Sequence, residues 1–286
     1  MLKRMAITAL LLGVSLCAPI KGEAQELPTP LIKGQLTQGG MVIGQLQDAK
    51  KVVFAERELK LSKDGYFVFG FGRDAQTDQQ LKWQSQDEQW HHLDFSIAER
   101  EYQIDKIEGV ASKYVAPPEK VLERIRNDAK LVRQARANNS ERTAFLEPVY
   151  RPAVGRISGV YGSQRYFNGT PKRPHFGLDI ANKTGTPIYA PISGEVVMAH
   201  PELYYSGGTV ILDHGYGITS TYIHMHKVLV DVGDTVKTGD VIGQIGATGR
   251  VTGPHLDWRF NWFNERLDPQ LLMIDTLASE VNTNEQ

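Results

Sequence analysis

The chain of 286 residues contains a single cysteine, Cys17, near its start. With that opening segment set aside no thiol is left. No disulfide can then staple the fold, and no thiolate can hold a metal. Any metal site must be built from histidine and carboxylate. Charge of one sign is also missing: 32 Lys and Arg stand against 33 Asp and Glu. The balance gives no broad electrostatic case for nucleic acid or for an anionic membrane surface. The apolar run Ala6 to Ala18 is too short to span a bilayer well. It follows Lys3 and Arg4 and leads to Gly22-Glu23-Ala24, small residues at the −3 and −1 positions of a cleavage site. Residues 1–24 therefore read as a secretory signal peptide removed after Ala24, which puts the mature protein in the periplasm or outside the cell. Leu16, in front of Cys17, argues against a lipoprotein.

What is present is mainly β sequence. Residues 26–108 hold short strand-like runs at regular spacing, among them Gly40-Met-Val-Ile-Gly, Val52-Val-Phe and Tyr66-Phe-Val-Phe-Gly-Phe, with Asp64-Gly65 as a hairpin turn. They predict a small N-terminal β-sandwich. His91 and His92 are adjacent, so on a strand they face opposite ways and share no metal. Residues 117–139 predict a connecting helix. Val121, Ile125, Ala129 and Val132 form one narrow apolar stripe, and Pro117-Pro118 and Asn138-Asn139 bound it. The helix lies on one domain, as a spacer or as a plain connector. Residues 149–275 change texture to many short β runs broken by glycine, a compact antiparallel β domain. Residues 276–286 are polar and predict a flexible tail.

The chemistry gathers in this last domain. His175 and Asp179 stand four apart, with Pro174 and Gly177 arguing for a loop that runs into a strand. His255 and Asp257 are two apart on a predicted strand and share a face, as do Tyr222 and His224. Imidazole nitrogen and carboxylate oxygen are both zinc ligands. A catalytic zinc keeps an open position for water, and a neutral histidine beside it can take that water's proton.

These pieces resemble the lysostaphin/LytM-type zinc metallopeptidases of bacterial cell walls. The blocks that carry the resemblance are Gly159-Val-Tyr-Gly, His175-Phe-Gly-Leu-Asp179, Thr186-Pro-Ile-Tyr-Ala-Pro-Ile-Ser-Gly, Val210-Ile-Leu-Asp-His-Gly-Tyr-Gly, Thr221-Tyr-Ile-His224 and Gly246-Ala-Thr-Gly-Arg-Val-Thr-Gly-Pro-His255-Leu. They cover somewhat under half the chain. The resemblance implies His175 and Asp179 as zinc ligands, and His224 and His255 as catalytic histidines. The family places a third histidine ligand where this chain has Asp257. We expect Asp257 to take that role in holding one Zn2+ per chain. Two carboxylates would then neutralise the ion and weaken its Lewis acidity. Asn168, Tyr222 and Arg250 are the candidate substrate contacts, Asn168 because the segment Gln164 to Pro171 could lie across the cleft. The implied function is hydrolysis of peptide cross-links in peptidoglycan by a monomer. The alternative is an inactive relative that binds the wall or activates another wall hydrolase. An envelope partner would be reached through the N-terminal domain.

Overall fold

Short apolar runs recur along the first strands, and the sheets they form must bury those side chains. A computed structural model describes residues 29–107, 119–167 and 169–283. The expected signal peptide and Asn168 lie outside the described residues. The N-terminal unit runs β1 (Leu31–Gly34), β2 (Met41–Gln45), β3 (Ala49–Phe54), β4 (Arg57–Leu59), β5 (Tyr66–Gly70), β6 (Asp78–Ser85) and β7 (Trp90–Ser96). One sheet is ordered β1-β2-β5 and the other β4-β3-β6-β7. Phe54 from one sheet meets Phe69 and Phe71 near the other, with ring centroids 4.3 and 5.7 Å apart. Each buried ring contributes roughly 1.5–3 kcal/mol of hydrophobic stabilisation. The expected sandwich is therefore present.

The second half continues with β8 (Ile104–Ile107), the helix α1 (Leu122–Arg136), β9 (Val149–Arg151), β10 (Arg156–Gly159), β11 (Gln164–Phe167), β12 (Thr170–Pro171), β13 (Leu178–Ala181) and β14 (Pro187–Tyr189). Then follow β15 (Gly194–Leu203), β16 (Gly207–Gly215), β17 (Ile218–Val228), β18 (Thr235–Val236), β19 (Val241–Ile245), β20 (His255–Trp262), β21 (Glu265–Leu267), the short helix α2 (Pro269–Leu272) and β22 (Met273–Leu277). The main sheet is ordered β10-β13-β20-β17-β16-β15-β18, with β21 on β20 and the β14–β19 pair on β17. Strand β16 is buried along its whole length. Both of its faces are covered, so its central Val210-Ile-Leu212 is apolar without alternation, and the polar Asp213 and His214 beyond it are buried too.

Several boundaries differ from the sequence reading. Strand β8 pairs in parallel with β11, so the end of the N-terminal region belongs with the hairpin β11–β12 of the second half. The segment after Thr276 is no loose tail as far as it is described: β22 pairs in parallel with β9, and Ala278 is fully buried. Helix α1 lays Val132 and Ala135 against Met198, Leu203 and Ile211, while Ala129, expected on the packed stripe, is exposed. The helix is not what separates the two halves, for they touch directly. Phe54 lies 6.0 Å from Trp262, Arg57 covers the Phe263 ring at 3.8 Å, and Arg100 pairs with the buried Asp268 at 2.9 Å. Among the described residues no helix is long and apolar enough to cross a membrane.

Candidate metal and catalytic site

Three neighbouring strands carry the site. β13 pairs antiparallel with β20, and β20 with β17. The register sets Asp179 directly opposite Asp257. Like charges facing each other across a strand pair are destabilising unless a cation lies between them. His175 sits just before β13, and its backbone is fixed on both sides: Gly162 N–H donates to its carbonyl and its own N–H donates to Ser163 O, each at 2.8 Å. His175 Nε2 comes to 3.2 Å from Asp179 Oδ1. One donor atom from each of His175, Asp179 and Asp257 falls within a 4.8 Å group. His175 Nε2 and Asp179 Oδ1 are both buried, and neither has a properly directed hydrogen bond. Buried polar atoms rarely go unpartnered. An imidazole and a carboxylate aimed at one point, with a second carboxylate in reach, fit a divalent cation of the kind zinc exemplifies.

Glycine makes this approach possible. A Cβ at Gly159 would come within 2.3 Å of Asp179 Oδ2, and one at Gly177 within 2.3 Å of Asp257 Oδ1. Gly177 therefore does more than break a helix: it leaves the space in which the Asp257 carboxylate rests.

Asp257 has a partner that the sequence reading missed. Arg259, two residues on and on the same face of β20, donates from Nε to Oδ1 at 2.8 Å and from Nη2 to Oδ2 at 2.5 Å. Burial would raise the Asp257 pKa, but the Arg259 charge and its two hydrogen bonds outweigh it and hold the carboxyl well below its ordinary range. This forked pair corrects the expected neutralisation. Two carboxylates offset a divalent ion, and the guanidinium leaves one positive charge on the set, as two histidines and one carboxylate would. Asp257 makes no hydrogen bond to His255, which removes a role for it as that ring's orienting carboxylate.

His224 and His255 lie beside the cluster with ring centroids 4.9 Å apart. His224 Nδ1 donates to Thr248 O and His255 Nδ1 donates to Gly253 O, both at 2.9 Å. In the neutral form of each ring this leaves the lone pair on Nε2. His255 Nε2 stands 3.8 Å from Asp179 Oδ1. Burial pulls the His224 pKa down, with the Thr248 carbonyl opposing, so that ring is neutral near pH 7. His224 has a φ of +66°, in the left-handed region, and lies where the β16–β17 register slips between Val210 and Gly208. This bulge re-aims the side chain.

The same bulge overturns the expected pairing of Tyr222 with His224. Tyr222 is fully buried, and its hydroxyl bonds Ser220 Oγ at 2.8 Å. Ser220 Oγ in turn meets His214 Nε2 at 2.7 Å. Tyr222 is thus a core residue with no access to a substrate. His214 belongs to the same internal network, with burial pulling its pKa to about 4. His226 is exposed beyond the bulge and outside the ligand group. Arg250 is exposed and stacks on Tyr205 at 4.4 Å. His91 bonds Ser85 Oγ at 3.1 Å while its neighbour His92 is exposed, so the two do not converge.

Residues 173–269 match the profile of Peptidase family M23, and this part of the chain is a domain of that family. Relatives include the peptidoglycan DD-endopeptidase ShyA of Vibrio cholerae, 42% identical over 106 residues, which are 36% of this chain and 24% of that protein. Lysostaphin of Staphylococcus simulans is 38% identical over 100 residues, 35% of this chain and 20% of that protein. The chain thus spans a quarter or less of the length of either. A crystal structure from Pseudomonas aeruginosa assigned to peptidase M23 superposes with a TM-score of 0.65 at 26% identity, covering 83% of this chain and 95% of that one. The shared fold therefore extends well beyond the matched segment.

Proposed function

We propose that the chain is an exported zinc-dependent endopeptidase that hydrolyses peptide cross-links of bacterial peptidoglycan, in the periplasm or outside the cell. The observation that carries this reading is the convergence of His175 Nε2, Asp179 Oδ1 and the Asp257 carboxylate, the first two 3.2 Å apart without a directed hydrogen bond, beside the rings of His224 and His255. Zinc held by His175, Asp179 and Asp257, one per chain, would supply a Lewis acid and lower the pKa of bound water. The chain's own residues do the rest. The Thr248 and Gly253 carbonyls fix one tautomer in each ring, so each Nε2 is ready to accept a proton. His255 is assigned as the base that takes the proton of the attacking water and returns it to the leaving amine. The neutral His224 ring, with its Nε2 lone pair, is assigned to accept a hydrogen bond from the attacking water and so orient it. Wall peptides as substrate are supported by the described activity of ShyA.

A second reading is a non-catalytic factor that binds the wall or activates another hydrolase, working as a monomer or through a partner on the sandwich. The Arg259 fork favours it, because both Asp257 oxygens already hold a hydrogen bond. Incubation of the purified chain with cross-linked peptidoglycan, with and without chelator, followed by mass analysis of the fragments, separates the two. New amine and carboxyl ends that vanish with chelator support the peptidase. Intact cross-links at every zinc concentration support the binding factor.

A further inference from the structure

Beside the ligand cluster, a cleft of about 1240 Å³ runs between α1, the sandwich and the peptidase sheet. Its lining is rich in arginine: Arg136, Arg173, Arg259 and Arg266 all contribute. Arg136 is the unusual member. It is the last residue of α1 and only 8% exposed, and among the described residues its side chain donates one hydrogen bond, from Nη2 to Thr221 Oγ1 at 3.2 Å. Its Nε is buried with no partner. Thr221 lies directly opposite Arg259 across β17 and β20, so Arg136 reaches down beside a second guanidinium. Among the described residues, no carboxylate lies within ion-pair distance of Arg136, Arg173 or Arg266. Trp262, which also lines the cleft, buries an indole N–H with no acceptor.

A structural role does not account for this arrangement. The carbonyl end of a helix offsets about 0.3–1 kcal/mol for a cation. Desolvating an unpaired guanidinium costs several kcal/mol, and neighbouring like charges add to it. Burial first, then the charges of Arg266, Arg259 and Arg173, push the Arg136 pKa well down. Arg266 is pulled down to about 10 by burial and by Arg259 and Arg173. Asp74, Asp78, Asp128 and Glu265 also line the cleft, with Asp74 paired to Arg73 and Asp128 accepting from Tyr204 N–H, and none of the four is ion-paired with Arg136, Arg173 or Arg266. The cleft adjoins the ligand cluster through the neighbours of the site residues: Arg173 is two residues before His175, and Arg259 clamps Asp257.

We infer that this cleft binds a carboxylate of the peptide substrate through Arg136, Arg173 and Arg266, and so orients a carboxylate-bearing peptide against the His175–Asp179–Asp257 cluster. The inference rests on the wall-peptide reading above. Free carboxylates flank the amide bonds in cross-linked stem peptides, and planar guanidinium forks match them.

The test uses the full chain with zinc and two synthetic cross-linked stem-peptide dimers, one with its free carboxylates and one with carboxamides in their place. The parent is expected to bind the acid dimer about tenfold or more tightly than the amide. Arg136→Met and the rim variant Arg173→Gln should each erase most of that preference while zinc stoichiometry stays at parent level. Sodium succinate at fixed ionic strength gives a readout that needs no wall peptide: it should raise the Tm of the parent and not that of Arg136→Met. Without ligand, Arg136→Met should unfold at or above the parent Tm, since it removes an unpaired buried charge. Equal affinities for acid and amide overturn the inference, as does a destabilised Arg136→Met that keeps the acid preference. Failure of the peptidase reading looks different: the acid preference and succinate effect persist, but neither dimer is cut.

Discussion

Removing Arg259 tests the charge balance of the site. In Arg259→Met the Asp257 carboxylate stays almost wholly buried, with 4% of its side chain exposed, and faces Asp179 across the strand pair without the guanidinium that clamps it. Breaking a buried pair by removing one partner costs about 3–5 kcal/mol. The Arg259 side chain is 24% exposed, so the loss belongs near the low end, about 3 kcal/mol. Urea unfolding in chelator should show that loss. Arg259→Met combined with Asp257→Asn should recover most of it, because no uncompensated charge is left. Saturating zinc should also recover it in the single variant, since an ion bound only to the folded chain stabilises it by mass action. An Arg259→Met that loses less than about 0.5 kcal/mol without metal, or a double variant no better than the single, would refute the reasoning.

Four further outcomes follow from the same geometry. His224→Ala and His255→Ala should lose turnover but keep zinc, whereas His175→Ala and Asp179→Ala lose both; metal analysis beside a hydrolysis assay decides. Gly177→Ala places a Cβ within 2.3 Å of Asp257 Oδ1 and should weaken zinc binding by about tenfold or more, read by chelator competition. Asp257→His, which removes the carboxylate that Arg259 clamps, should keep zinc and shift the pH optimum of hydrolysis downward, because the set then carries more positive charge. His214 is buried neutral with its pKa at about 4 against an ordinary 6.5, so the unfolded chain binds the extra proton first. Stability should therefore fall by about 3 kcal/mol as pH drops from 6.5 toward 4, and His214→Gln should flatten that slope in unfolding curves.

Much of the site was legible because its signals are local. His175 and Asp179 are fixed by a loop-to-strand spacing, and His255 and Asp257 by the two-residue period of a strand. The sandwich was legible from the regular spacing of short apolar runs such as Tyr66-Phe-Val-Phe-Gly-Phe and from the Asp64-Gly65 turn. The misreadings have physical causes. Strict alternation put Tyr222 beside His224, but the left-handed backbone at His224 breaks the alternation, and nothing in Thr221-Tyr-Ile-His224 announces a bulge. Arg259 had a signal that went unused: an acidic residue on a buried strand followed at i+2 by arginine faces its own counter-ion. Arg136 had one as well, since it continues the stripe of Ile125, Ala129 and Val132 by one helical step. The parallel pairings of β8 with β11 and of β22 with β9 join segments far apart in sequence, and no local pattern reports them.

The most direct test of the account is zinc titration of the chelator-treated chain, followed by native mass spectrometry and competition with a chromogenic chelator. The account predicts one tightly bound zinc per chain, lost in His175→Ala and weakened by about 100-fold or more in Asp257→Ala. A parent chain that takes up no zinc, or an Asp257→Ala variant that binds it as tightly as the parent, would contradict the claim that His175, Asp179 and Asp257 form the metal site.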